Sequence, residues 1–234
     1  MSRLNDPDSV RAQYSDEARL NTRRSVWHPT LDGREPSTVA LDEIRDARPS
    51  RVLEVGCGTG GFAARLLDAI PGVDLVAVDQ SRRFVELTAR RGVPAQVADI
   101  QSLPFEDDSF DVVAALWMLY HVPDLHQGLA EVRRVLRPGG LFVAVTNGDE
   151  HVGALRQAVG RPLAITQFST QNGEAILRRH FTDVHREDLR TRAVFRDHAA
   201  AVAYLESSDE PMQVLPHFDG PREYAGQVTV FVAR

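Results

Sequence analysis

The chain has 234 residues, of which 43% are hydrophobic and 26% charged, as is typical of a globular protein rather than a disordered, collagen-like or membrane-embedded one. A formal net charge of -6 provides no overall positive field to attract phosphate backbones, so we expect no nucleic-acid partner. The single cysteine cannot form an internal disulfide, the first residues contain no apolar secretion signal, and no apolar run approaches the ~20 residues that cross a bilayer. We therefore expect a cytoplasmic protein without membrane contact.

Two helices are predicted before the first strand. From Asp8 to Trp27 the sequence is polar, with apolar residues loosely spaced for one helical face. A second helix, Ser37–Arg45, ends before Pro49. We expect residues 1–49 to form an N-terminal helical cap, followed by one domain over residues 50–234.

Strands and helices then alternate. Apolar, β-branched segments predict strands at Arg51–Val55, Leu75–Val78, Ala95–Val97, Phe110–Leu116 and Leu141–Thr146. The segments between them predict helices at Phe62–Ile70, at Ser81–Arg91 with Ser81 as N-cap, and at Leu125–Leu136, closed by Arg137-Pro138-Gly139-Gly140. Such alternation implies parallel strands joined by crossover helices, that is, an α/β, doubly wound sheet.

The last third of the chain predicts three helices and two extended segments. The helices are Gly153–Val159, Asn172–His180 and His198–Leu205, and the extended segments are Val184–Phe195 and Val228–Val232. Mixed α/β sheets often carry an antiparallel edge, which these two segments can form. The complete prediction is therefore a mostly parallel, seven-stranded sheet.

Glycines cluster between the first predicted strand and the first crossover helix, in Glu54-Val55-Gly56-Cys57-Gly58-Thr59-Gly60-Gly61. They let the backbone turn sharply and approach a nucleotide-like ligand at a helix N-terminus. The loop alone leaves the cofactor open, because Gly56, Gly58 and Gly61 also satisfy the dinucleotide fingerprint, with Asp79 about 20 residues further on.

Two further acids favour a single adenosine over a dinucleotide. A carboxylate at Glu54, at the end of the first main strand, suits an ammonium group better than a pyrophosphate. Asp99 can accept a hydrogen bond from an adenine amino group while Ile100 packs on the ring. With Asp79 on the ribose hydroxyls, no second nucleotide is needed.

The segments Leu103-Pro104-Phe105, Phe110-Asp111-Val112-Val113 and Arg134-Val135-Leu136-Arg137-Pro138-Gly139-Gly140 follow in order. With the glycine loop, they make the stretch from about Ser50 to Asn147 resemble the class I S-adenosylmethionine-dependent methyltransferases, in the subgroup similar to the ubiquinone and menaquinone biosynthesis methyltransferases. The resemblance implies a Rossmann-like fold and S-adenosylmethionine as cofactor. It implies a pocket lined by Glu54, Gly56, Cys57, Gly58, Asp79, Gln80, Asp99, Ile100 and Gln101, with the Leu116 backbone near the methionine ammonium.

The acceptor side of such a pocket has two candidate catalytic residues, His121 and Tyr120. His121 follows the fourth strand of the parallel set, where α/β sheets bind ligands, and can act as a general base; packing or capping is the alternative. Tyr120, with Trp27, Trp117 and Met118, can form an aromatic wall around a substrate or a sulfonium. Core packing explains Trp117 and Met118 equally well.

Other residues have simpler explanations. Tyr14 is expected to reach the cofactor carboxylate if the first helix closes over the pocket, and the arginines beside it, Arg19, Arg23 and Arg24, can do the same or form a solvated face. Cys57 has no base beside it in the sequence, so we interpret it as structural. No metal is expected, because the spacing of His121, Asp124 and His126 matches no established ligand pattern and Asp124 can cap the next helix.

The function predicted from these features is methyl transfer to the O, N or C atom of a small molecule. The alternatives are a tRNA or rRNA methyltransferase, which needs a basic surface, and a cofactor-binding module without turnover. A nicotinamide dehydrogenase is a weaker option. The sequence leaves the oligomeric state open.

Overall fold

The computed structural model describes Thr22, residues 25–208 and residues 210–234. This part of the chain is built on one eight-stranded sheet in the order β1-β7-β8-β6-β5-β2-β3-β4. The strands are β1 (Trp27–His28), β2 (Arg51–Val55), β3 (Asp74–Asp79), β4 (Ala95–Val97), β5 (Phe110–Leu116), β6 (Leu136–Asn147), β7 (Val184–Phe195) and β8 (Arg222–Ala233). The helices named below are α1 (Pro36–Asp46), α2 (Gly61–Ala69), α3 (Arg82–Ala89), α4 (Leu125–Val135), α5 (Gly153–Ala158), α6 (Gly173–Leu177) and α7 (His198–Glu206).

The predicted parallel half of the sheet is confirmed. β2 pairs in parallel with β3 and β5, β3 with β4, and β5 with β6. Successive residues of a strand point to opposite faces of the sheet, and both faces are covered here. On β5, Val112 and Ala114 join a hydrophobic cluster with α1 and α2, whereas Val113 and Ala115 join one with α4. The sheet is therefore doubly wound and Rossmann-like.

The predicted antiparallel edge is also present, because β8 lies between β6 and β7 and is antiparallel to both. β8 extends over Arg222–Ala233, beyond the predicted Val228–Val232, because its residues 222–227 pair with β7 alone, whereas its residues 228–233 pair with both β6 and β7. The helix predicted at Asn172–His180 is shorter, at Gly173–Leu177.

The N-terminal region corrects two expectations. Trp27 and His28 form an eighth strand that pairs antiparallel with Ala193 and Arg192 of β7, so the sheet has eight strands rather than seven, and the first helix does not extend to Trp27. Helix α1 packs on the sheet through Ala40, Leu41 and Ile44. The division at residue 49 stays a prediction. No helix in residues 25–208 and 210–234 is long and apolar enough to span a membrane.

Candidate active site

A cavity of about 1300 Å³ lies at the carboxyl ends of the parallel strands. Its lining includes the residues that directly follow these strands, namely Gly56 after β2, Gln80 after β3, Ala98 after β4, Trp117 after β5 and Gly148 after β6. The parallel topology brings these five loops to one edge of the sheet, the position where open α/β sheets bind ligands. The cavity therefore joins segments that are far apart in the sequence.

The glycine loop, which directly follows β2, lines one part of the cavity. Gly56 has φ +72°, and a Cβ there would lie 2.7 Å from Met118 Cγ. The Gly56 and Cys57 amides both donate to the Val78 carbonyl oxygen, at 2.8 and 3.1 Å, and so tie the loop to β3. Glycine is required at position 56 both for the left-handed backbone and for the close approach of Met118.

Asp79, at the end of β3, holds the glycine loop. Its two carboxylate oxygens accept backbone N–H bonds from Gly58 and Ser81, each at 2.9 Å. Burial is the largest influence on this carboxyl and raises its pKa, against the lowering effect of the two amides. Each oxygen keeps a further lone pair, and Asp79 lines the cavity, so this donor set fits the ribose hydroxyls of an adenosine.

Glu54 and Ile100 also line the cavity as predicted. Glu54 is 3% exposed at the end of β2, where it places a carboxylate beside the glycine loop. Ile100 is 1% exposed, and its apolar side chain is available to a planar ring. A carboxylate, a loop with left-handed glycines and an apolar contact fit an ammonium group and an adenosine, whereas the Glu54 carboxylate would repel a pyrophosphate.

The cavity also includes Gly58, Gln80 and Leu116, whereas Asp99 and Gln101 are outside its lining. The Gln101 side-chain amide donates to both Asp99 carboxylate oxygens, at 3.1 and 3.0 Å, and Gln101 Oε1 accepts from the Asp124 amide. These two side chains therefore bind each other and the start of α4. Their predicted contact with the cofactor stays a prediction.

Cys57 is 5% exposed, and its sulfur lies 3.4 Å from Thr88 Oγ1. Burial, together with the nearby carboxylates of Glu54 and Asp79, raises the pKa of the Cys57 thiol to about 12. The side chain is therefore a neutral thiol near pH 7 and not a thiolate nucleophile.

Aromatic side chains dominate the cavity beyond β5, where Trp27, Trp117, Tyr120 and His121 all line it together with Met118. The Tyr120 and His121 rings meet edge to face with centroids 4.4 Å apart, on the short 3-10 turn Leu119–His121. Trp117 has φ +54°, a strained conformation for a large side chain, and its Nε1 donates to Asn147 Oδ1 at 3.0 Å. The predicted aromatic wall is thus assembled around one space.

His151 also lines this space, and the sequence reasoning missed it. Its ring stacks on Trp27 with centroids 4.2 Å apart, and its Nδ1 lies 3.0 Å from the Gln227 carbonyl oxygen. Burial lowers the pKa of His151 to about 4, so the imidazole is neutral near pH 7. His151 could have been selected from the sequence, because it follows β6 by a few residues, just as His121 follows β5.

Two groups of sequence candidates remain, namely Tyr14 with its neighbouring arginines, and Asp124 with His126. Tyr14, Arg19, Arg23 and Arg24 lie outside the described residues. Asp124 caps α4 by accepting the Gln127 amide at 3.0 Å, and His126 Nδ1 lies 2.9 Å from His180 Nε2. Within the described ranges, no group of three or more potential metal ligands lies close together.

Residues 53–144 match the family model described as "Methyltransferase domain". Over 132 residues the chain is 43% identical to a phthiotriol/phenolphthiotriol dimycocerosates methyltransferase of Mycobacterium ulcerans, covering 54% of this chain and 49% of that protein. Over 113 residues it is 35% identical to a ubiquinone/menaquinone biosynthesis C-methyltransferase of Geotalea daltonii, covering 44% of this chain and 48% of that protein. The matches thus span about half the length of these relatives.

The crystal structure of an S-adenosylmethionine-dependent methyltransferase from Thermotoga maritima superposes with a TM-score of 0.59 and 20% identity, covering 98% of this chain and 99% of that one. At this identity the match shows the fold alone. The family match, by contrast, covers residues 53–144, the stretch that carries the glycine loop and its acids. This part of the chain therefore belongs to the class I methyltransferase domains, whose cofactor is S-adenosylmethionine.

Proposed function

We propose that the protein transfers a methyl group from S-adenosylmethionine to a small-molecule acceptor. The observation that carries this proposal is a single cavity that runs from the glycine loop to the aromatic residues beyond β5. Its volume of about 1300 Å³ exceeds the roughly 300–1,000 Å³ of a pocket for one drug-sized ligand, which leaves room for a cofactor and a second molecule. Small-molecule acceptors are also named for the relatives in quinone and phthiotriol metabolism.

In the proposed complex, Asp79 binds the ribose hydroxyls, Glu54 faces the methionine ammonium and Ile100 packs on the adenine. The bound cofactor supplies an activated methyl group. The protein then mainly needs to hold the acceptor atom in line with that methyl, and such positioning can contribute about 7–11 kcal/mol. We assign the orientation of the acceptor to Trp27, Trp117 and Tyr120, because they line the part of the cavity beyond β5.

We also propose His121 as the general base for a hydroxyl or ammonium acceptor, with Tyr120 beside it orienting the acceptor. Such an acceptor must lose its proton before or during attack, and a neutral imidazole at the cavity wall can accept that proton. A carbon acceptor requires deprotonation only after the transfer. The acceptor atom therefore decides whether this role is needed.

A small molecule is favoured over RNA by the net charge of -6 and by the pairing of surface arginines with acids. Arg178 Nη2 lies 2.8 Å from Glu174, and Arg192 Nη1 lies 3.1 Å from Glu223. A methylation assay that includes tRNA and rRNA tests the choice of a small molecule over RNA.

We also propose a cytoplasmic location, because the single cysteine cannot form an internal disulfide and no apolar run is long enough to cross a bilayer.

Calorimetry with S-adenosylhomocysteine and with NAD tests the cofactor site. We expect S-adenosylhomocysteine to bind at least about tenfold more tightly, because the cavity offers a carboxylate at Glu54 where a dinucleotide would bring its pyrophosphate. Labelled S-adenosylmethionine is then incubated with phenols, amines and carboxylic acids to detect transfer. Comparable or tighter NAD binding refutes the cofactor assignment. Tight cofactor binding without transfer to any acceptor class supports a binding module instead.

A further inference from the structure

Two arginines, Arg156 and Arg161, line the far end of the same cavity. Arg161 is only 4% exposed, although arginine is rarely buried without a charged partner. Its Nε donates to the Pro211 carbonyl oxygen, and its Nη1 to the Leu205 carbonyl oxygen and the Ser208 hydroxyl, at 3.2, 3.0 and 3.1 Å. Its Nη2 donates to the Glu210 backbone oxygen. These bonds fix the guanidinium against the segment that follows α7.

Among the residues that the structure describes, the positive charge at this end of the cavity is only partly balanced. The Glu210 carboxylate pairs with Arg156, whose Nη2 lies 2.6 Å from it. Within the described part of the chain, no carboxylate oxygen lies within 4.0 Å of the Arg161 guanidinium, which uses four of its five N–H groups on neutral oxygens. The Glu210 carboxylate is therefore hydrogen-bonded to Arg156 and acts on Arg161 only by longer-range attraction, while burial lowers the pKa of Arg161. An anion entering here would balance the remaining charge.

These arginines are separated from the proposed cofactor site. The glycine loop follows β2, whereas α5, which carries Arg156, packs on β8. Three strand spacings separate β2 from β8 in the sheet, or about 14 Å at roughly 4.8 Å per strand. The arginines thus lie on the opposite side of β5 from the glycine loop.

We propose that Arg156 and Arg161 bind an anionic group of the acceptor, a carboxylate, at the end of the cavity away from the cofactor. This proposal rests on the proposed methyl-transfer function and defines its substrate class. Arg161 contributes the uncompensated charge and one remaining N–H, and Arg156 contributes the two N–H groups that its bonds to Glu210 and Pro162 leave available. In this proposal the aromatic residues that line the cavity beyond β5 contact the rest of the acceptor.

The test compares benzoate with benzamide, which have nearly the same shape but differ in charge. Trp27 and Trp117 are the chain's two tryptophans and both line the cavity, so quenching of tryptophan fluorescence reports binding. In protein saturated with S-adenosylhomocysteine, we expect benzoate to bind at least about tenfold more tightly than benzamide. Arg161→Gln should reduce this preference to less than about threefold, because the uncompensated charge is removed.

Arg190→Gln is the matched control, since Arg190 is exposed on β7 outside the cavity lining and should leave the preference unchanged. Arg156→Gln provides the decisive variant if Arg161→Gln does not fold. Equal binding of the two probes by the wild type, no binding of either, or an unchanged preference in a folded arginine variant overturns the proposal. A separate titration with S-adenosylhomocysteine shows whether the cofactor site itself has failed.

Discussion

Replacing Asp79 with alanine tests the residue that holds the glycine loop by hydrogen bonds and is proposed to bind the ribose of the cofactor. The substitution removes both acceptors of the Gly58 and Ser81 amides, whose hydrogen bonds are 2.9 Å long. At about 0.5–1.5 kcal/mol for each hydrogen bond, the free energy of unfolding should fall by about 1–3 kcal/mol. The proposed bonds to ribose are lost as well, which should weaken cofactor binding by a further ~1–3 kcal/mol, or roughly 5- to 150-fold in Kd.

The two effects are measured separately. Urea unfolding gives the stability change, and calorimetry with S-adenosylhomocysteine gives the Kd. Asp68→Ala is the matched control, because Asp68 is an exposed carboxylate on α2 outside the cavity lining and should alter neither quantity by more than a few tenths of a kcal/mol. An unchanged Kd in a folded Asp79→Ala variant would refute the placement of the ribose at Asp79.

Three other substitutions test the loop, the proposed base and the buried thiol. Gly60→Ala should lower the free energy of unfolding by at least ~1 kcal/mol more than Gly72→Ala does. Both glycines have positive φ, but only a Cβ added at Gly60 would meet Thr88, at 2.7 Å. Equal urea midpoints for the two variants would contradict this prediction. With a hydroxyl acceptor, His121→Ala should lower kcat by a factor of about 10²–10⁴ while the Kd for S-adenosylhomocysteine stays constant. A kcat within a few fold of the wild-type value would remove His121 from the catalytic residues. Because the folded pKa of Cys57, about 12, lies above its ordinary value of 9.0, the unfolded state loses its proton first as the pH rises. The unfolding free energy of the wild type relative to that of Cys57→Ala should therefore fall above pH 9.0, by about 1.4 kcal/mol per pH unit. Parallel curves of unfolding free energy against pH for the two proteins would refute the burial argument.

Local sequence patterns are sufficient to predict the parallel half of the sheet and the glycine loop. The predicted bounds of β2, β4 and β5 agree with the structure, because runs of apolar and β-branched residues record burial locally. The glycine loop was equally readable, since Gly56 needs a left-handed backbone whatever surrounds it. These features depend on one segment and its own conformational preferences.

Which distant side chains share the cavity depends on tertiary packing. Trp27 looked helical from its neighbours, but its pairing with Ala193 of β7 makes it a strand residue that stacks on His151. Asp99 follows β4 as its sequence position indicates, but the fold also pairs its side chain with that of Gln101 outside the cavity lining, and its contact with the cofactor stays a prediction. Arg161 reaches the cavity because of how the segments after α5 and α7 pack together. Strand order and competition among hydrogen-bond partners are properties of the folded chain, and no local pattern in the sequence encodes them.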